Sequence, residues 1–121
     1  MTRRELACRI ADAHAADDDL VVRVLKFADG VVVLIRDREE TAFRVLGECQ
    51  EEADDSAIGW STDRRLWCIV APSQTATSAA ICRLAEEFHL YDGLDSPLAK
   101  DAGIRVIDHT VDTLESFDDS I

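Results

Sequence analysis

The chain has 121 residues, of which 47% are hydrophobic, so its length suits one domain, residues 1–121, with a packed core. Its 25 acidic residues against 13 lysines and arginines give a net charge of −12, which disfavours nucleic-acid binding. The sequence has no uncharged stretch that could span a bilayer and no apolar secretory signal at its start, so we expect a cytoplasmic protein without membrane contact.

The first predicted element is a helix over residues 3–15. Thr2 and Glu5 form a capping-box pattern, and Leu6 and Ile10 follow at helical spacing. A hairpin comes next, because the β-branched and apolar runs 20–27 and 31–36 flank an Ala-Asp-Gly turn. The second run is apolar on both faces, which is typical of a central strand.

The rest of the chain, from residue 38, alternates helical and extended patterns. The predicted elements are a helix over 38–53, a loop over 54–65, a strand over 66–71, a helix over 74–89, a short helix over 96–103 and a strand over 104–108. The order is therefore α-β-β-α-β-α-(α)-β, with a final segment that forms a short helix or frays. Because strand–helix–strand crossovers join parallel strands, we expect strands 31–36, 66–71 and 104–108 to be parallel, with 20–27 antiparallel. This predicts an α/β fold with a mixed four-stranded sheet flanked by helices.

Parallel strands end at one edge of a sheet, where ligands of open α/β folds bind. Three pairs of polar residues follow the predicted parallel strands and make up a candidate ligand site: Arg36 and Asp37, Ser73 and Thr75, Asp108 and His109. A small anion is the candidate ligand, held by hydroxyls and helix N–H groups.

Each pair also has a structural interpretation. Asp37 has Glu40 three residues later and suits a helix cap, as do Ser73 and Thr75. The turn APSQTATS contains no glycine, which argues against a phosphate-binding loop. His109 needs a nucleophile within reach to act as a base, and Ser73 qualifies only if the two strands are neighbours.

Other chemistry is poorly represented in the sequence. It contains no G-x-S-x-G, H-E-x-x-H or EF-hand pattern, so we name no catalytic residue. Cys8, Cys49, Cys68 and Cys82 fall in separate apolar stripes without metal-ligand spacing and suit small buried thiols. We therefore expect no metal and no cofactor.

Two tryptophans bear on partner binding. Trp67 lies in a predicted strand and suits the core, whereas Trp60 lies in the acidic loop and suits an exposed anchor for a partner. The leading functional interpretation is a non-catalytic binding or regulatory domain. It would bind a protein partner, a second copy of itself or a small ligand.

The C-terminal half also carries a resemblance. The stretches WCIVAPSQTATSAAICRLAEEF and AGIRVIDHTVDTL resemble the closing segment of Mrr-type restriction-endonuclease domains. The residues that carry the likeness are Ser73, Thr75, Ala80, Ala85, Gly103, Ile104, Ile107, Asp108 and Leu114.

The resemblance implies a nucleic-acid-processing fold but not its activity. That family cuts DNA with a metal-binding Asp and a Glu/Gln-x-Lys pair on the following strand. Here Asp29 lies in the hairpin turn and Lys26 before it, and no E-x-K or Q-x-K occurs. The alternative function is therefore a degenerate or divergent restriction-endonuclease-like domain.

The composition also resembles that of proteins from extreme halophiles. Lys26 and Lys100 are the only lysines, and asparagine is absent. Repulsion among excess acidic charges is screened at high salt, because the Debye length falls from about 10 Å at 0.1 M to about 3 Å at 1 M.

We therefore expect the free energy of unfolding to rise between low and molar KCl, measured by denaturant titration at each salt concentration. A free energy that stays level or falls over that range would contradict the halophile interpretation.

Overall fold

The fold comes from a computed structural model, which describes residues 2–17, 20–36, 57–71, 82–87, 89–90, 97–101, 103–109 and 113–114. Its elements are α1 (Arg3–His14), β1 (Val22–Phe27), β2 (Gly30–Arg36), β3 (Ala57–Trp60), β4 (Leu66–Ala71), α2 (82–87), α3 (Pro97–Asp101) and β5 (Ile104–His109). The predicted helix over 38–53 and much of the one over 74–89 lie outside the described residues.

Helix α1 confirms the capping-box prediction. The Glu5 N–H donates to Thr2 Oγ1 at 3.1 Å, and the Thr2 N–H donates to Glu5 Oε2 at 3.3 Å. Four residues of the helix are buried against the sheet: Leu6, Ala7, Ile10 and Ala11. None of the described helices has both the length and the apolar character needed to cross a membrane.

The five strands form one mixed sheet in the order β3-β4-β2-β1-β5. Residues 31–35 of the middle strand β2 are completely buried. Val31, Val33 and Ile35 join an apolar cluster with Leu84 of α2 and Ala99 of α3. On the other face Val32 and Leu34 join the cluster that contains Leu6 and Ile10 of α1. The α/β class is therefore confirmed, with a covered layer on each face of the sheet.

The number and direction of the strands differ from the prediction of a four-stranded sheet. Residues 57–60 form β3, although they fall in the predicted loop 54–65. Strand β4 pairs antiparallel with β3 on one side and with β2 on the other. Strand β3 therefore runs in the same direction as β2, and the turn of the β3–β4 hairpin makes β4 run in the opposite direction. The prediction that 31–36 runs parallel to 66–71 and 104–108 was wrong because it omitted β3. Strand 20–27, predicted to be the antiparallel one, runs in the same direction as 66–71 and 104–108, and β2 is the reversed strand.

Strand β5 pairs parallel with β1 and forms an outer strand of the sheet. It points in the same direction as β4, as expected, but β2 and β1 lie between them. With neighbouring strands about 4.8 Å apart, β4 and β5 are separated by roughly 14 Å. The end of β4 is therefore not next to the end of β5.

Close contact between α1 and β3 depends on Gly59. A Cβ atom at this position would lie 2.7 Å from the Cys8 backbone nitrogen, 2.8 Å from Cys8 Sγ and 2.9 Å from Ala7 Cβ. The backbone of the helix therefore rests directly on the strand. A side chain at residue 59 would push the two elements apart.

We expect Gly59→Ala to lower the free energy of unfolding by about 1–3 kcal/mol, the usual cost of overpacking a filled interior. Chemical denaturation of both proteins measures the change. Because one of the three contacts is to backbone, the double variant with Cys8→Ala should recover only part of the loss. A Gly59→Ala protein as stable as the wild type would contradict this packing.

Candidate functional site

The candidate ligand site at one sheet edge is not assembled as predicted. Arg36 is the last residue of β2. Strand β2 is antiparallel to β1, and β5 is parallel to β1, so β2 and β5 run in opposite directions. Arg36 and His109 therefore lie at opposite ends of the strands, roughly 20 Å apart for about six residues of extended chain. Asp108 and His109 pair with Lys26 and Phe27 of β1. Asp37, Ser73 and Thr75 lie outside the described residues.

The Arg36 side chain has a structural role. Its Nε donates to the Leu20 carbonyl at 2.8 Å, and its Nη2 donates to the carbonyls of Ala15 at 3.2 Å and Asp17 at 2.7 Å. These bonds hold the segment between α1 and β1 against the end of β2. Backbone carbonyls at the end of a helix need such donors. The Arg36 guanidinium therefore stabilises the fold by binding three backbone carbonyls.

Trp60 lies at the same end of the sheet as Arg36, at the end of β3, and is half-buried. Its ring centroid is 5.5 Å from that of its cross-strand partner Trp67, with the planes tilted by 50°. The guanidinium carbon of Arg4 lies 4.7 Å from the Trp60 ring centroid, and that of Arg64 lies 5.6 Å away. Exposed cation–π contacts contribute about 0.5–1 kcal/mol each. We refer to Trp60, Arg4 and Arg64 as the Trp60 surface.

Hydrogen bonds fix the turn that carries Arg64. Ser61 is fully buried, and its hydroxyl donates to Asp63 and accepts from the Leu66 N–H at 3.2 Å. Asp63 also accepts from the Arg65 N–H at 3.0 Å. The Ser61 hydroxyl and then the Arg65 N–H hold the pKa of the Asp63 carboxyl below its usual value. The turn therefore has a defined shape, with Arg64 in the left-handed region at a φ of 59°.

A second contact ties the same turn to α1. The Asp12 carboxylate accepts the Thr62 N–H at 2.7 Å and the Thr62 hydroxyl at 3.1 Å. Together with the Gly59 contact, this bond holds α1 and the β3–β4 hairpin in one arrangement. Arg4 reaches Trp60 from the helix, and Arg64 reaches it from the turn.

An open groove of about 510 Å³ lies beside this surface. The described residues that line it belong to α1 or its cap: Thr2, Arg4, Glu5, Cys8 and Arg9. Arg4 therefore contributes both to the groove and to the Trp60 surface.

The cysteines differ in accessibility. Cys8 is half-buried, and Cys68 is buried opposite Gly59 on β4. Burial, with a smaller effect of Cys8, raises the pKa of the Cys68 thiol. Cys82 is exposed, which corrects the expectation of a buried thiol there, and Cys49 lies outside the described residues. Among the residues that the structure describes, no group of three or more His, Cys, Asp or Glu side chains is placed to hold a metal ion.

Comparison of the chain with protein-family models, with curated proteins and with solved structures finds no match. Its function is therefore inferred from its own residues. Sequence reasoning singled out Trp60 but missed Arg4, Arg64 and the groove. These residues come from α1 and from a turn some sixty positions later, and no spacing in the sequence connects them.

Proposed function

We propose that this chain is a non-catalytic binding domain that recognises a protein partner through the Trp60 surface. The observation that carries the proposal is the placement of the Trp60 ring beside the guanidinium groups of Arg4 and Arg64, at 4.7 and 5.6 Å. Tryptophan and arginine are the residue types most enriched among side chains that dominate protein–protein binding energy.

The support behind Trp60 also favours recognition. Trp67 contacts the Trp60 ring, and the Gly59 contact and the Asp12–Thr62 bonds hold the β3–β4 hairpin against α1. A surface ordered before binding loses less conformational entropy when a partner arrives. A partner that covers the exposed part of the half-buried Trp60 ring gains apolar contact.

A single small-ligand site at the predicted sheet edge has less support. It requires Arg36 to act together with Asp108 and His109, and these residues end strands at opposite ends of the sheet. The Arg36 guanidinium is also occupied by three backbone carbonyls. We therefore base the proposed binding function on Trp60.

The restriction-endonuclease-like alternative also has less support, because its candidate acidic residue has a structural role. Asp29, the acidic residue of the hairpin turn, accepts the Leu114 N–H at 3.0 Å. This bond gives the carboxylate a role in joining the hairpin to the C-terminal segment. Together with the absence of E-x-K and Q-x-K from the sequence, it favours binding over catalysis. We propose that the domain works in a salt-rich cytosol, to which its composition is suited.

The test is a photo-cross-linking experiment in cells that express the chain. Arg9→p-benzoylphenylalanine places the cross-linker in the groove beside the Trp60 surface, and we expect a discrete cross-linked product. Adding Trp60→Ala should reduce that product at least tenfold, because a buried Trp anchor contributes about 2 kcal/mol or more to binding.

The matched control places the same cross-linker at Arg105, an exposed residue on the outer strand β5. We expect no product from this position, since β5 and β3 are the two outer strands of the described sheet. A product that forms equally from both positions, or that survives Trp60→Ala when circular dichroism shows an intact fold, would contradict the proposal.

A further inference from the structure

The charge around the Trp60 surface differs from that of the chain as a whole. Helix α1 and the β3–β4 turn carry five exposed arginines: Arg3, Arg4, Arg9, Arg64 and Arg65. These are five of the 13 basic residues in a chain of net charge −12. Among the described residues this part of the molecule is therefore rich in arginine, and guanidinium groups in contact with carboxylates make strong, charge-assisted hydrogen bonds.

The acidic side chains among these arginines are engaged in the fold. Glu5 accepts the Thr2 N–H, Asp12 accepts two bonds from Thr62, and Asp63 accepts from Ser61 and Arg65. Their oxygens serve to cap α1 and to fix the turn. A guanidinium stacked on an aromatic ring still presents its N–H groups at its rim, where a carboxylate can bind in bidentate fashion.

The position of the groove beside Trp60 indicates a ligand long enough to contact both. The groove has a volume of about 510 Å³, and Arg4 belongs both to its lining and to the Trp60 surface. The carbon stems of Arg4 and Arg9 and the Cys8 side chain give the groove apolar walls. A ligand that contacts both features therefore needs an apolar part for the groove and negative charges for the arginines.

These features favour a polypeptide over a nucleic acid. An apolar side chain of a polypeptide can fill the groove, whose lining is mainly apolar, whereas a sugar-phosphate backbone cannot. A nucleic acid is also a dense polyanion whose binding through its phosphates weakens steeply as the salt concentration rises, which suits the proposed salt-rich cytosol poorly. A short acidic segment brings only a few charges, all of which meet the arginines.

We infer that the groove of α1 and the Trp60 surface together bind an acidic, extended segment of a partner protein. This inference rests on the proposed function and names the chemistry of the partner. Carboxylates of the segment pair with Arg4 and Arg64, and an apolar side chain lies in the groove. Another protein is favoured over a second copy of this chain, because a two-fold symmetric contact through this surface would place the arginines of one copy against those of the other.

The test begins with selection of random twelve-residue peptides, displayed on phage, against the intact chain. Selected peptides are synthesised, and titration calorimetry measures their affinities for the wild type and for four variants: Arg4→Glu, Arg64→Glu, Arg105→Glu and Trp60→Ala. We expect the sequences to be enriched in Asp and Glu around an apolar residue. Arg4→Glu and Arg64→Glu should each weaken binding at least tenfold, whereas Arg105→Glu, with the same change of charge, should weaken it less than twofold.

A footprint on the wild-type chain avoids any effect of substitution on folding. Cys8 lines the groove, whereas Cys82 is exposed on α2. Bound peptide should slow alkylation of Cys8 by iodoacetamide at least fivefold and leave Cys82 unchanged, with both sites read in one digest by mass spectrometry. Equal alkylation of Cys8 with and without bound peptide would overturn the inference.

The remaining outcomes separate the inference from the proposed function. Peptides that lose affinity with Trp60→Ala but are not acidic would overturn the acidic segment and leave the proposed function standing. If no selected peptide loses affinity with Trp60→Ala, both the acidic-segment inference and the proposed function are contradicted. The acidic segment is also overturned if the chain dimerises in sedimentation and Arg4→Glu makes it monomeric, or if a random single-stranded oligonucleotide protects Cys8.

Discussion

The contact between the backbone of α1 and Gly59 of β3 is the constraint on which the rest of the candidate site depends. It brings the start of the helix beside the outer strand, so that Arg4 reaches the ring of Trp60, the next residue along β3. The Asp12–Thr62 bonds then fix the far end of the helix to the turn. Neither arrangement survives if a side chain at residue 59 separates the two elements.

The sheet explains why this contact occurs at an outer strand. Strand β2 is buried on both faces, so helices must cover the sheet on each side. Helix α1 covers the face that holds Leu34, Leu66 and Cys68, and it lies towards β3 and β4. The carboxylates of Glu5, Asp12 and Asp63 are exposed as well, but each accepts hydrogen bonds within the fold. Among the described residues of α1 and the β3–β4 turn, five exposed arginines outnumber these three carboxylates, so this aromatic surface carries a local excess of positive charge.

The elements predicted from the sequence were those with strong local signals. The capping box of α1, the Ala-Asp-Gly hairpin and Gly103 at the end of α3 each depend on residues close together in the chain. Residues 57–60 gave no comparable signal, because this short strand is defined by its pairing with β4 and contains a glycine. Missing it reversed the predicted direction of β4 and placed Arg36 at the wrong edge. Trp60 could be chosen as a candidate from its type, but its contacts with Arg4 and Arg64 required the tertiary fold.

The central claim is that Trp60 is held beside two guanidinium groups before any partner binds. The ring current of an indole moves protons above its face upfield, so proton NMR of the free chain tests this arrangement directly. We predict that the side-chain protons of Arg4 and Arg64 resonate upfield of their usual positions and return to them in Trp60→Leu, while those of Arg105 do not change. Ordinary resonance positions for both arginines in the wild-type chain would contradict the claim.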